Sequence, residues 1–163
     1  MKKLALAILM VMISVFAAYA DNTVLEQAQN AGIQRCLPAI KSMSEFIIDG
    51  GPSGSHCIWN TDSPDTNPFT CVIERNYSDV PVTINLSVTP MANGTCFGEY
   101  EKVFIFDKTC MSTSQSFEGA KYLGELNKEV AVLKHNDVNV YLIPFGHQCV
   151  VVRKEIILDA LKL

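Results

Sequence analysis

The sequence predicts an exported α+β fold: an N-terminal helix or helix pair packed on an antiparallel β-sheet and stapled by disulfides. Three observations predict it. The chain opens on a leader-like segment, all six cysteines lie beyond that segment, and the hydrophobic period changes from helical to alternating near Gly51.

Residues 1–20, MKKLALAILMVMISVFAAYA, place two lysines before an apolar run and end on Ala18-Tyr19-Ala20, the small-x-small pattern that signal peptidase cleaves. The apolar run is about 15 residues, short of the roughly 20 that span a bilayer. Domain boundaries follow: a signal peptide over 1–20 and a single α+β domain over 21–163, with no membrane span left after cleavage. The expected location is periplasmic or secreted, and the compact Lys-Lys start suits a bacterial leader. About 140 residues remain, enough for one domain with its own core.

Thr23 stands three residues before Glu26, the spacing of a capping box, so a helix is expected to begin there. Pro38 should break or restart it, and Ile40, Met43, Phe46 and Ile47 follow at helical spacing until Gly50-Gly51 ends the run. Beyond Gly51 the alternation of Val82, Ile84, Leu86 and Val88 with Thr83, Asn85, Ser87 and Thr89 predicts a strand with one dry face. KVFIFD is apolar on both sides and reads as a central strand covered on both faces. EVAVLKHNDVNVYLIPFGHQCVVVRKEIIL breaks at Asn136-Asp137 and Phe145-Gly146 into three strands, whereas SFEGAKYLGELNKE is polar enough for a loop or short helix. The expected dry face holds Ile84, Leu86, Val103, Ile105, Val140 and Leu142 against Ile40, Phe46 and Ile47.

Six cysteines in an exported chain read as three disulfides, with 15 combinatorial pairings. If SHCIWN and FTCVIER are hairpin arms around Pro64, Cys57 and Cys71 are equidistant from the turn and directly opposed, within bonding reach. Cys96 and Cys110 flank a strand of about ten residues that holds them roughly 30 Å apart, so each should pair with Cys36 or Cys149, in an order the spacing leaves open. No Cys-x-x-Cys spacing invites zinc, and neither a metal nor a cofactor is expected.

Lys and Arg number 13 against 17 Asp and Glu, and two of the thirteen fall in the leader, so the mature chain is more acidic than its formal charge of −4. That balance disfavours nucleic acid and anionic lipid as partners. From residue 45 to 101 the acids are Glu45, Asp49, Asp62, Asp65, Glu74, Asp79, Glu99 and Glu101, and the only base is Arg75. Asp62, Asp65, Glu99 and Glu101 are therefore the candidate partner-binding residues, and the expected partner is a basic protein.

No catalytic residue is assigned. His56-Cys57 and His147-x-Cys149 lack a free thiol if the cysteines are bridged, no Gly-x-Ser-x-Gly elbow occurs, and Glu99 with Glu101 reads as two solvated acids on a wet strand face. Asn60, Asp62, Asp65 and Asn67 lack the glycine and final Glu of a calcium loop and read as Asx turns. The leading expectation is a non-catalytic protein that binds another macromolecule, as an inhibitor or immunity-type partner of a cell-envelope enzyme would. The alternative is a small-molecule binder or enzyme with a pocket between helices and sheet, reached by His135, His147 or Tyr141. A third class, an appendage subunit, would offer an unpaired edge strand.

Overall fold

The computed structural model describes residues 22–77 and 80–157. The leader expected over 1–20 lies outside them. Helices α1 (Thr23–Asn30) and α2 (Leu37–Ile48) precede strands β1 (Ser53–Ile58), β2 (Phe69–Tyr77), β3 (Val80–Pro90) and β4 (Cys96–Phe106). A short helix α3 (Cys110–Ser114) precedes β5 (Lys121–Leu126), β6 (Val130–His135), β7 (Val138–Phe145) and β8 (Gln148–Ile157). The strands form one antiparallel sheet in the order β1-β2-β3-β4-β8-β7-β6-β5. The fold is α+β and disulfide-stapled, as the sequence predicts.

Each half of the sheet is thus a four-stranded meander led by helix, and the halves join where β4 pairs with β8. The disulfides repeat this plan. Cys36 at the N-cap of α2 bonds Cys96, the first residue of β4, and Cys110, the first residue of α3, bonds Cys149 at the start of β8. The third bond, Cys57–Cys71, joins register partners whose Cα atoms are 4.0 Å apart, the hairpin pairing expected from the sequence. Three disulfides indicate an oxidising environment.

The helices cover one face only. Val24, Ala28, Ile40, Met43 and Ile47 pack on Cys71, Ile73, Val82, Ile84, Leu86 and Val88, all buried. A second cluster, Leu133, Val140, Leu142, Cys149 and Val151, lies under α3, and Phe104 touches both clusters. Register parity puts Val103 and Ile105 on the opposite face from Phe104 and Phe106, which corrects two residues of the expected dry face. Ile105 is 59 % exposed. β4 is central, between β3 and β8, but it is covered on one side rather than two. Phe46, also expected inside, is 53 % exposed and leans on Tyr100 with ring centroids 6.1 Å apart.

Local differences have identifiable causes. Asn22, not Thr23, caps α1: its side chain accepts the Leu25 N–H at 3.2 Å, because the Thr23 hydroxyl is taken by Ser55 Oγ at 2.6 Å. Pro38 sits in the first turn of α2, where its missing N–H costs no helical bond. Asp49 closes that helix in the left-handed region at φ 48°. Lys121–Leu126, expected as loop or helix, is an edge strand with a bulge between Tyr122 and Gly124. The turn at Asn136 and Asp137 has both φ values positive, 49° and 63°, as a tight two-residue hairpin requires.

The two sheet edges differ. At β1 the Gln27 amide acts as a surrogate strand, donating to the Ser55 carbonyl at 3.2 Å and accepting the Cys57 N–H at 3.1 Å. Such cover blunts an edge against pairing with another chain. At β5 the outer edge carries Lys121 and the bulge, two other devices of the same kind.

Candidate functional site

The face opposite the helices is not covered by any described element, and its side chains fall into cross-strand rows set by the register. One row runs His56, Val72, Asn85, Glu101, Lys154, Asn139 and Lys134 from β1 to β6. A neighbouring row runs Ile58, Thr70, Ser87, Glu99 and Ile156. Where these two rows cross β1 to β4 they border a groove of about 300 Å³ that reaches Lys154. Its apolar wall is Ile58, 63 % exposed, with Val72.

Glu99 and Glu101 face each other's row on β4, two residues apart and on one side of the strand. Lys154 Nζ lies 3.3 Å from Glu99 Oε2, and Asn85 Nδ2 donates to Glu101 Oε1 at 3.2 Å. Each carboxylate is therefore anchored by one oxygen. The Ser87 and Thr70 side chains add hydroxyls on the same face. Two acids against one lysine leave the groove negative, and partial exposure keeps that field salt-sensitive.

The other two acids of the expected acidic side lie elsewhere. Asp62 is exposed in the β1–β2 turn, and its N–H donates to Asn60 Oδ1 at 2.9 Å, an Asx turn. Asp65 reaches the helical side, where Oδ1 accepts the N–H groups of Gln34 and Arg35 at 2.7 and 3.0 Å. Its charge closes the α1–α2 connection. Among the described residues no group of three metal-ligating side chains converges.

Arg75, the single base in the acidic stretch, is buried. Its guanidinium lies 4.5 Å from the Tyr77 ring centroid and donates to the carbonyls of Asn76 and Asp49, so it closes the C-terminal end of α2. A Cβ at Gly51 would lie 2.0 Å from that guanidinium, which would have to shift to admit it. On the helix side of the seam, Tyr100 donates to Glu155 Oε2 at 2.5 Å. Burial first, and then that bond, hold its pKa well above the ordinary tyrosine value.

The residues weighed for an inner pocket do not converge. His147 is exposed at the β7–β8 turn, 3.0 Å from Asp107; Tyr141 is on the open face; His135 packs edge-on to Phe117, 5.7 Å away. A separate apolar groove of about 430 Å³ lies between α3 and the sheet, lined by Met111, Phe117, Tyr122, Leu133 and Leu142. Nothing in the sequence spacing points to it, since Lys121–Leu126 reads there as a loop or short helix. Phe69 is buried in the core with Trp59 against it.

Fold and face together define a disulfide-stapled sheet layered by helices on one side and open on the other. The chain matches no known protein family, no curated protein and no solved structure.

Proposed function

We propose that the protein is a non-catalytic binding protein, exported to the periplasm or secreted, that holds another macromolecule against the open face of its sheet. The observation that carries this reading is the groove beside Glu99 and Glu101, whose apolar wall, Ile58 and Val72, stands in solvent. An exposed apolar wall beside fixed charges is the composition of an interaction surface rather than of solvated sheet. The partner is basic, because the groove is net negative and the stretch that builds it has its one base, Arg75, turned into the fold. An inhibitor or immunity-type complex with a cell-envelope enzyme fits this chemistry. The disulfides support an extracytoplasmic setting, and no described helix is long and apolar enough to cross a membrane.

A bait experiment on cell-envelope extract tests the reading. A partner captured at about 50 mM salt should be lost at about 500 mM, where the screening length falls below the size of the groove. Reversal at Glu99 and at Glu101 should weaken capture, because both line the groove; Asp62 lies outside it in the β1–β2 turn, and Asp65 is unsuited to the test, because its reversal would break the connection it caps. Capture indifferent to salt and to both reversals would contradict an electrostatic interface. The apolar groove under α3 favours a second reading, a carrier of a small apolar molecule held between helix and sheet.

A further inference from the structure

The open face has a second region, distinct from the groove, on β4, β8, β7 and β6. Val103, Val152, Tyr141 and Val132 form one unbroken cross-strand row there. Ile105, Val150 and Ile143 form the next. No described element packs on this block; Ile105 is 59 % exposed and the other six residues are half-buried by their neighbours in the sheet. A strand face solvated on one side normally carries polar residues. Seven adjacent apolar positions imply an occupant.

We infer that the occupant is a second copy of this chain, stacked face to face as a two-sheet sandwich. Two independent features support it. The first is the centre of the block. The longer row spans four strands, and its midpoint falls between β8 and β7. A two-fold axis in the interface, running along the strands over that midpoint, lays the block on itself: Val152 over the partner's Tyr141, Val103 over the partner's Val132, Val150 over the partner's Ile143. Such self-pairing is what an isologous interface requires.

The second feature is charge. The axis is chosen from apolar residues alone, yet it also fixes what faces what in the adjoining row of Glu101, Lys154, Asn139 and Lys134. Under the same operation Glu101 faces the partner's Lys134, and Lys134 faces the partner's Glu101. Lys154 faces the partner's Asn139. No like charges meet. Aligned sheets stack about 10 Å apart with strands rotated by about 30°, an offset that long Glu and Lys side chains can bridge. The Ile58–Val72 wall and Glu99 lie outside the block and its charged row, whereas Glu101 and Lys154 border both surfaces, so the two proposals are separated by variants at Glu99 and Val152 rather than at Glu101.

The test is oligomeric state, read by sedimentation velocity and light scattering over a concentration series. The protein should be a dimer that dissociates on dilution. V152D should be monomeric. E101K alone and K134E alone should each weaken association at least about tenfold, since each converts two attractive contacts into repulsive ones. E101K combined with K134E should restore the dimer, a rescue that a folding defect cannot mimic. Circular dichroism of each variant reports the fold separately. A monomer at every concentration, a dimer that survives V152D, or a double reversal that rescues nothing would overturn the inference; E99K, by contrast, should leave the dimer intact while affecting only partner capture.

Discussion

Ile84→Ala is expected to destabilise the fold by about 2 to 5 kcal/mol, whereas Ile105→Ala should change stability by no more than about 0.5 kcal/mol in the monomer. Both are isoleucines on neighbouring central strands, and both belonged to the dry face expected from the sequence. The structure separates them. Ile84 is fully buried beneath the helices, so truncation removes packed methylenes and leaves a cavity, whereas Ile105 is on the uncovered face. Denaturant unfolding at low protein concentration measures the two without contribution from association. Equal costs would mean that the open face is covered within one chain, and the two-layer architecture would be wrong.

Replacing Cys36 and Cys96 together by alanine should cost about 4 kcal/mol, more than the roughly 3 kcal/mol expected for the Cys57–Cys71 pair. The difference follows from loop length. The first bond closes 60 residues of sequence and the second 14, so the first removes more conformational freedom from the unfolded chain. Its position adds to the effect, because it ties the start of α2 to the start of β4 across the main core. Against a typical total of about 5 to 15 kcal/mol, loss of this bond leaves little reserve. Peptide mapping of the non-reduced protein checks the premise, with Cys36–Cys96, Cys57–Cys71 and Cys110–Cys149 as the linked fragments.

Much of the fold was legible because several segments had a single clean period. Val82, Ile84, Leu86 and Val88 alternate without interruption, and all four are buried. Equal spacing about Pro64 foretold the Cys57–Cys71 register, and the extended strand between Cys96 and Cys110 excluded their union. KVFIFD failed the same test for a physical reason: with apolar side chains on both faces its parity carries no information, and only its pairing with β8 assigns Phe104 inward and Val103 outward. Lys121–Leu126 was missed because an edge strand exposed on both sides needs no apolar period, and the bulge at Gly124 erases the alternation that remains.

The candidate site was less legible than the fold. Glu99 and Glu101 stand out by local charge alone, but their partners come from other strands, Lys154 lying 55 residues from Glu99 and Asn85 lying 16 from Glu101, so that strand order rather than local pattern decides these contacts. The apolar block depends on the same long-range event, the pairing of β4 with β8. Asp65 shows the converse: an acid that composition counts as surface charge is spent on two backbone amides.

We propose that the groove on the open face binds a macromolecule and does not hold the fold together. Ile58→Lys tests this most directly, because Ile58 is 63 % exposed on the groove wall, and its replacement removes the apolar wall and adds a charge that repels a basic partner without opening the core. Melting temperature and capture from cell-envelope extract should be measured on the same preparation. The melting temperature should be unchanged and capture abolished; an unchanged melting temperature with the same partner captured in full would rule out the groove as the binding surface.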